Sequence, residues 1–409
     1  MIDYEYILLA MDSLQNKPFS LPYLLCIIAY TLLLSSCSGT LRKTPVPEAY
    51  VDKVKPIGFT KIRYWGDNRK NKAYKGKLIA SLSRNGPTKP IYILGISGGG
   101  SYGAFSAGIL NGWTASGTRP NFNLVTGIST GALIAPFAFM GPSYDHLLKE
   151  LYTTIDTDNV ISFSFPLFKV ISGSDAIGDS APLKKLLKQY ITRDFLDQLV
   201  KASKGRRSLL IGTTNLDARR LVIWDMVEIA KRPGKYPVKM FREIMLASAS
   251  IPVAFPPVYV PVSYNRKKYY ELHVDGGVMS SVFVTAGLID PDEAAKALGW
   301  ESLPPINIYV LRNNYMEPPY QPPKRNLFSI AGQSILTLTS NIGKADLLKI
   351  KVLSAHEKVN FKYINVPKTF EYVPEETFDQ KEMQALYALG YKLSVKGVPW
   401  RVISVDEAS

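Results

Sequence analysis

Apolar residues recur with two different periods along the middle of the chain, from residue 89 to about residue 288. Short apolar runs at 91–96 and 122–126 are typical of buried strands. Helical spacing of apolar positions predicts amphipathic helices in three segments, 183–190, 241–249 and 383–393. Alternating strand and helix units are typical of an α/β fold with a largely parallel central sheet, which we expect here.

An apolar stretch near the N-terminus, residues 19–36, ends directly before Cys37. It is short for a membrane span, contains a proline and closes on small residues, as the apolar region of a signal peptide does. The sequence LSSC at 34–37 resembles the lipobox of bacterial lipoproteins. This implies acylation of Cys37 and a place in the cell envelope, in the outer membrane rather than the inner one. Because Lys17 is the only basic residue upstream, an uncleaved anchor helix or a buried strand stays open.

The pattern along the chain predicts four parts. Residues 1–36 are expected to be the lipoprotein signal peptide, and 37–88, which are polar and carry several prolines, a tether and entry segment. Residues 89–290 are expected to form the core, and 291–409 a C-terminal extension that packs on it.

Composition excludes several classes of protein. A chain of 409 residues can form one large domain or two ordinary ones, and a hydrophobic fraction of 46% excludes general disorder. One of the two cysteines, Cys26, lies in the apolar stretch 19–36 and the other, Cys37, directly follows it, which excludes a disulfide scaffold. No run of 18 apolar residues occurs after residue 40, so a polytopic membrane protein is excluded too.

Three consecutive glycines, Gly98, Gly99 and Gly100, follow the first predicted strand and precede a helical pattern. Unshielded amides at such a place favour an anion. A dinucleotide site would need an acidic residue about 20 positions on, but none occurs between Asp67 and Asp145. A phosphate loop would need a following Gly-Lys-Ser/Thr, which is missing. The remaining interpretations are an oxyanion hole and a purely structural turn.

The sequence Gly-x-Ser-x-Gly occurs around Ser129 and also around Ser97. Between a strand and a helix this motif forms a nucleophile elbow, in which a tight turn exposes the serine hydroxyl. A helix can begin directly after Ser129, whereas three glycines follow Ser97. We therefore prefer Ser129 as the nucleophile.

A third motif, Asp275 followed by two glycines, ends a strand-like run. An aspartate there can face a site at the edge of the sheet, although Asp-Gly is also a common turn. A serine nucleophile needs a base, and the chain has only three histidines, His146, His273 and His356. His146 and His356 are expected on the surface, while His273 shares a strand face with Asp275. No metal-ligand pattern occurs, so no metal is predicted.

Together these motifs resemble the patatin-like phospholipase family over about residues 90–285. The block ASASIPVAFPP at 247–257 is also similar to one that precedes the family's aspartate. The resemblance implies a three-layer α/β/α fold and a lipid acyl hydrolase without histidine or cofactor. It assigns Ser129 as nucleophile, Asp275 as base and Gly98, Gly99 and Gly100 as the oxyanion hole. One departure is Tyr102, where the family commonly has Arg or Lys.

The expected partners are a phospholipid or lysophospholipid substrate and a membrane surface. The net charge is +15, and basic residues without acidic ones between 68 and 144 predict a basic face toward anionic lipid. These residues are Arg69, Lys70, Lys72, Lys75, Lys77, Arg84, Lys89 and Arg119. Nucleic acid is not an expected partner, because no motif for it occurs. The apolar segments 161–171 and 326–348 could line an acyl pocket, touch a bilayer or belong to the core.

Two other functions stay open. One is an α/β-hydrolase-type esterase with a Ser-Asp-His triad that uses His356. The other is a non-catalytic lipid-binding envelope lipoprotein. For the hydrolase, burial should raise the pKa of Asp275, and activity should then rise from mildly acidic to neutral or alkaline pH.

Overall fold

The computed structural model describes residues 42–68, 71–163, 175–284, 290–356 and 358–403. All of these except Arg42 belong to one compact unit, Lys43–Ser164 with Asp175–Ser409. The other unit, Met1–Arg42 with Phe165–Ser174, lies outside the described residues except at Arg42. The predicted signal peptide, 1–36, and the predicted lipidation site, Cys37, therefore lie outside the described residues as well.

The strands and α-helices of the described residues alternate through most of the chain, as expected of an α/β protein. The strands are β1 (Lys55–Pro56), β2 (Arg63–Trp65), β3 (Ile91–Ile96), β4 (Leu124–Gly127), β5 (Ser162–Phe163), β6 (Gly178–Asp179), β7 (Ser208–Asn215), β8 (Arg220–Asp225), β9 (Val258–Tyr264), β10 (Lys267–Asp275), β11 (Ile306–Arg312) and β12 (Val359–Asn365). The helices are α1 (Lys72–Leu82), α2 (Gly103–Ala115), α3 (Thr130–Met140), α4 (Asp145–Thr153), α5 (Thr157–Val160), α6 (Ala181–Tyr190), α7 (Arg193–Ser203), α8 (Met226–Ala230), α9 (Lys235–Ser248), α10 (Pro291–Leu298), α11 (Leu327–Leu353) and α12 (Gln380–Ser394).

A ten-stranded sheet runs in the order β1-β9-β10-β7-β4-β3-β11-β12, with β8 also paired to β7 and β2 paired to β8. The neighbours from β7 to β12 are parallel. The remaining pairings, which involve β1, β2, β8, β9 and β10, are antiparallel. The expected largely parallel central sheet is confirmed, and an antiparallel part extends it.

Helices cover both faces of the sheet. Alternate strand residues point to opposite faces, so Leu94 and Ile96 of β3 join one apolar core, whereas Ile91 and Ile93 join another. The first core contains residues of α2, α3, α9 and α12, and the second contains residues of α1, α10 and α11. The three-layer α/β/α arrangement is therefore confirmed.

The predicted helices form α6, α9 and α12, and each has an identifiable start. Pro182 lies in the first turn of α6, where its missing N–H costs nothing. Gly234 precedes α9 with a φ of 93°. At α12 the Asp379 carboxylate accepts hydrogen bonds from the amides of Lys381 and Glu382.

The C-terminal part of the chain completes the sheet. Strand β11 pairs with β3 on one side and with β12 on the other. The expected boundary at residue 290 therefore does not coincide with an edge of the sheet.

Helix α12 packs unusually closely against α2. A Cβ placed on Gly108 would lie 2.1 Å from the Tyr387 carbonyl oxygen, and one placed on Gly390 would lie 2.4 Å from that of Phe105. The backbones of the two helices are thus in contact, and only glycine fits at these crossings. Because α2 begins directly after the glycine loop, this contact holds the start of α2 in position.

Candidate active site

Ser129 occupies a sharp turn between β4, which ends at Gly127, and α3, which begins at Thr130. Its φ of 55° is in a region that L-residues other than Asn and Asp rarely adopt. Both flanking glycines are required, because a Cβ on Gly127 would lie 2.3 Å from the Gly131 carbonyl oxygen and one on Gly131 would lie 2.2 Å from that of Ile96. The sequence motif therefore forms the predicted elbow.

Ser248, at the end of α9, holds this turn. Its hydroxyl accepts a hydrogen bond from the Ser129 amide at 3.0 Å and donates one to the Gly212 carbonyl at 2.7 Å. The elbow is thus tied to the middle of β7 by a buried side chain.

The register of β7 brings Ser129 and Asp275 together. Strand β4 pairs in parallel with the first half of β7, and its last residue, Gly127, lies opposite Ile211. Strand β10 pairs in antiparallel fashion with the second half, and its last residue, Asp275, lies opposite Thr213. Both pair on the side of β7 that β8 leaves free, since β8 pairs with residues of both halves. The two strands therefore meet end to end beside Gly212.

Asp275 is buried, with 4% of its surface exposed. Burial raises its pKa to about 7, although hydrogen bonding from the Ser129 hydroxyl and the Gly277 amide partly opposes that rise. The Gly277 amide donates to Oδ1 at 2.6 Å. Oδ2 has no partner of ordinary hydrogen-bond geometry within the described ranges. A carboxylate with this pKa can exchange a proton near neutral pH, which is what a general base requires.

The glycine loop lies directly against Ser129, since a Cβ on Gly98 would be 3.0 Å from the Ser129 Cβ. The Gly98 amide donates to the Ser281 carbonyl at 3.0 Å. The expectation that all three glycine amides are available for an oxyanion is therefore wrong for Gly98. The amides of Gly99 and Gly100 have no hydrogen-bond acceptor in the described part of the chain, and both residues have positive φ.

Asn313, the residue after β11, positions this loop. Its backbone amide donates to the Ser97 hydroxyl at 2.8 Å, and its side-chain amide donates to the Ser97 carbonyl at 2.9 Å. Its own carbonyl approaches Gly99 so closely that a Cβ there would lie 1.9 Å away. Ser97 is thus occupied in holding the loop, which agrees with the preference for Ser129.

A buried carboxylate lies behind the loop as well. Glu382, on α12, accepts a hydrogen bond from the Ser101 hydroxyl at 3.2 Å. Burial raises the pKa of Glu382, and hydrogen bonding from Ser101 and Tyr102 opposes that rise. The Tyr102 ring, at the position where Arg or Lys is common in the family, packs edge-on against Tyr315. The sequence gives no signal for Asn313, Ser248 or Glu382, because each acts through a contact between distant parts of the chain.

His356 does not join the site. Strand β12 begins at Val359, opposite the first residues of β11 and β3. His356 therefore lies where the strands begin, and Ser129 lies where β4 ends, so a strand length of about 20 Å separates them. Its imidazole is 3.9 Å from the Asp292 carboxylate. The triad with His356 is contradicted by this placement.

The other two histidines also lack contact with Ser129. His146 is exposed on α4, as expected. His273 is buried, with Nδ1 2.9 Å from the Thr213 hydroxyl and Nε2 3.3 Å from the Glu271 carboxylate.

An apolar cavity adjoins Ser129, and the empty space within it and its open mouth together is about 840 Å³. Gly100, Ser129 and Thr130 are among the residues that line it. The rest of the lining is mostly aliphatic and aromatic: Leu133, Phe137, Leu151, Tyr152, Ile155, Val160, Leu183, Leu186, Leu187, Tyr190, Ile191, Met245, Ala249, Ile251, Phe255, Phe378 and Met383. A cavity of this shape and chemistry suits a hydrocarbon chain. Of the two apolar segments singled out above, 326–348 contributes no lining residue, and 161–171 lies outside the described residues from 164 onward.

The predicted basic face is not a continuous unpaired surface. Three of its residues pair with carboxylates: Arg119 with Asp145, Lys77 with Asp225 and Lys75 with Glu293. Arg69 and Lys70 lie outside the described residues. Pairing with carboxylates therefore reduces, but does not remove, the positive charge expected of this region.

The described residues offer neither a metal site nor a membrane span. They contain no group of three or more His, Cys, Asp or Glu side chains that could hold a metal ion. They also contain no helix with the length and hydropathy needed to cross a bilayer.

Known proteins are similar to this chain over part of its length. An uncharacterized protein of Acanthamoeba polyphaga mimivirus is 25% identical over 207 residues, which is 50% of this chain and 63% of that protein. The crystal structure of VipD from Legionella pneumophila aligns with a TM-score of 0.36 and 14% identity, covering 75% of this chain and 66% of that one. Residues 94–288 match the family described as patatin-like phospholipase, over nearly the same residues as the resemblance above. This region of the chain therefore belongs to the patatin-like phospholipase family, whose members are lipid acyl hydrolases.

Proposed function

We propose that the protein is a serine acyl hydrolase that cleaves fatty-acyl ester bonds of phospholipids or lysophospholipids with a Ser129–Asp275 dyad. The observation that carries the proposal is the contact of the elbow serine, which lines an apolar cavity, with the buried Asp275 carboxylate. The family match supports the reaction class.

The reaction begins when Asp275 accepts the Ser129 proton and the serine oxygen attacks the ester carbonyl carbon. The carbonyl oxygen becomes an oxyanion, which the amides of Gly99 and Gly100 stabilise. When the C–O bond to the leaving group breaks, Asp275 returns the proton to that group. Asp275 then takes a proton from water, whose oxygen attacks the acyl-serine ester. As the bond between the acyl group and Ser129 breaks, Asp275 returns that proton to the serine oxygen, and the fatty acid is released. The acyl chain lies in the apolar cavity throughout.

The pH dependence of this mechanism has a definite sign. Asp275 acts as a base only when it is ionised, and its pKa is raised to about 7. Activity should therefore be low at pH 5 and should increase through pH 7 to a plateau. Constant activity down to about pH 4 would contradict the assignment of Asp275 as the base.

The test of the site is labelling with a fluorophosphonate probe, followed by peptide mapping. We expect the label on Ser129, and we expect Ser129→Ala to lower kcat on a short-chain ester by a factor of about 10³ or more. His356→Ala is the control, since the His356 side chain lies where the strands begin, whereas Ser129 lies where β4 ends. A label on any other serine would overturn the proposal, and an unlabelled protein that binds lipid equally well with Ser129→Ala would favour a non-catalytic lipid-binding protein.

We also propose that Cys37 is acylated and anchors the protein in the cell envelope, in the outer membrane rather than the inner one. The support is the sequence LSSC at 34–37 after an apolar stretch. Metabolic labelling with a fatty-acid analogue should mark the protein and should fail with Cys37→Ser. Equal labelling of both forms would contradict the anchor.

A further inference from the structure

The first half of α11 projects from the protein body with apolar side chains uncovered. Between residues 321 and 339 no described residue is buried, yet residues 327–341 contain no charged residue. Four large apolar side chains in this half are strongly exposed: Leu327 at 75%, Ile330 at 49%, Leu336 at 58% and Leu338 at 62%. Such a surface is unfavourable in water and is typical of an interaction site.

The second half of the same helix has the ordinary pattern of a surface helix. Leu347 and Ile350 are buried in the core, and Asp346 accepts hydrogen bonds from the amides of Ser281 and Val282. The helix is therefore firmly held at this end. In its first half, Leu336 and Leu338 lie on different sides of the helix, about 160° apart at 100° per residue, so both sides are uncovered.

Positive charge lies where the projecting half begins. Lys324 and Arg325 are exposed and precede α11, separated from Leu327 only by Asn326. The next charged residue along the chain is Lys344. An apolar helix with basic residues at its outer end matches the chemistry of an interfacial segment, which buries apolar side chains among acyl chains and places cations among anionic headgroups. The apolar part is about 20 Å long for 13 residues, too short to cross a bilayer.

This segment also lies beside the candidate site. A Cβ on Gly277, which binds Asp275 through its amide, would lie 3.6 Å from the Thr339 methyl group. Ser281, held by Asp346, accepts the hydrogen bond of the Gly98 amide. A membrane bound to the first half of α11 would thus lie next to the turn that carries Asp275.

We propose that residues 324–339 are an interfacial anchor that inserts into one leaflet of a bilayer with anionic headgroups. The apolar side chains enter the acyl region, and Lys324 and Arg325 contact the headgroups. Insertion requires no turnover, so this proposal can fail or succeed independently of the proposed hydrolase activity.

The test places a fluorescent probe on the segment itself, because the apolar N-terminal stretch could bind vesicles by another route. The full chain, with Cys26→Ser, Cys37→Ser and Ser129→Ala to prevent hydrolysis, receives Leu338→Cys and an environment-sensitive label. The matched control is Val373→Cys, at a residue 89% exposed outside the segment. Vesicles of phosphatidylcholine with 30% phosphatidylglycerol are compared with phosphatidylcholine alone.

We expect the probe at position 338 to shift its emission to the blue on anionic vesicles and to be quenched by nitroxide-labelled acyl chains. The probe at 373 should show neither change. In the Leu338→Cys background, Lys324→Gln/Arg325→Gln should lower the fraction inserted into anionic vesicles at least about threefold. An unchanged probe at 338 on a vesicle-bound protein would overturn the proposal. A blue shift that grows with protein concentration without vesicles would also overturn it, since a second copy of the chain would then cover the segment.

Discussion

At the scale of single residues, the candidate site contains two features that oppose stability. Ser129 has a backbone conformation that costs about 1–3 kcal/mol in proteins generally, and Asp275 is a carboxyl group removed from water. Both are held in place by neighbours, namely Ser248 for the elbow and Gly277 for the carboxylate. The site therefore depends on residues that have no chemical role of their own.

Ser248→Ala tests this dependence. The change leaves the buried Ser129 amide and Gly212 carbonyl without their partner, which should cost about 1–3 kcal/mol. We expect kcat on a soluble short-chain ester to fall about 10-fold or more, with little change in KM.

The matched control for that change is Ser250→Ala. Ser250 is also buried near the end of α9, but its hydroxyl donates only to the Leu246 carbonyl. Its kcat should stay within about twofold of the wild type. Equal losses in the two variants would show that Ser248 does not position the elbow.

Asp275→Asn should stabilise the protein while it removes activity. The folded carboxyl has a pKa of about 7, against 3.8 for the ordinary group. Between these values the unfolded chain ionises first, so the wild type loses stability as the pH rises from about 4 to 7. The advantage of the asparagine variant should grow over that range to at most about 4 kcal/mol and then stay constant.

Thermal unfolding at pH 4.5, 6 and 8 measures this difference. Asp158→Asn, at an exposed position on α5 with no ion pair to the described residues, is the control, and its Tm difference from the wild type should not follow this trend. A constant Tm difference between Asp275→Asn and the wild type at all three pH values would contradict the raised pKa.

Several residues of the site could be predicted from the sequence, and others could not. Ser129 and Asp275 lie in short motifs whose shape depends on adjacent glycines, so local sequence suffices to find them. The engagement of the Gly98 amide depends on Ser281, which is 183 positions away in the numbering. Contacts of this kind depend on how distant segments pack, and no local pattern reports them.

At the scale of elements, the position of the glycine loop depends on the contact between α2 and α12. The helical spacing of apolar residues predicted α12, but periodicity cannot identify which helix it contacts. The close crossing at Gly108 and Gly390 explains why small residues occur on the contacting faces. For the projecting half of α11, the sequence shows that the residues are apolar but not that they are exposed, because the same residues could equally have been assigned to the core.

Gly108→Ala should separate these two helices. Its added methyl group would lie 2.1 Å from the Tyr387 carbonyl oxygen, so the helices must move apart, at a cost of about 2 kcal/mol or more. Gly76→Ala is the control, since Gly76 is exposed on α1 with no atom within 4 Å of the new methyl group. That change should stabilise the protein by about 0.5–1 kcal/mol. Urea unfolding measures the free energy of unfolding of both variants. A change of the same sign in the two variants would refute the role of the crossing.

At the scale of the whole molecule, the family match ends at residue 288, but the sheet does not. Strand β11 follows β3 in the sheet, and β3 ends directly before the glycine loop. Sequence periodicity identified the α/β class because parallel strands are apolar throughout. It could not identify the strand order, which depends on pairings between segments more than 200 residues apart, such as β3 with β11.

A chain that ends at residue 290 should therefore fail to fold. It would leave the edge of β3 and the α12-contacting face of α2 uncovered. We expect loss of the near-ultraviolet circular dichroism signal and of a cooperative thermal transition, with the full chain as reference. A sharp transition in the shortened chain would show that residues 291–409 are dispensable for folding.

The end-to-end meeting of β4 and β10 along β7 has one more consequence. The separation of the nucleophile from its base is set by a strand that contains neither, through the single residue between Ile211 and Thr213. One residue inserted there would displace Asp275 by a full strand position and reverse the face on which it lies. A natural variant of this kind would keep both motifs letter for letter and yet be inactive, so genome surveys that count motifs alone would overestimate the number of working enzymes.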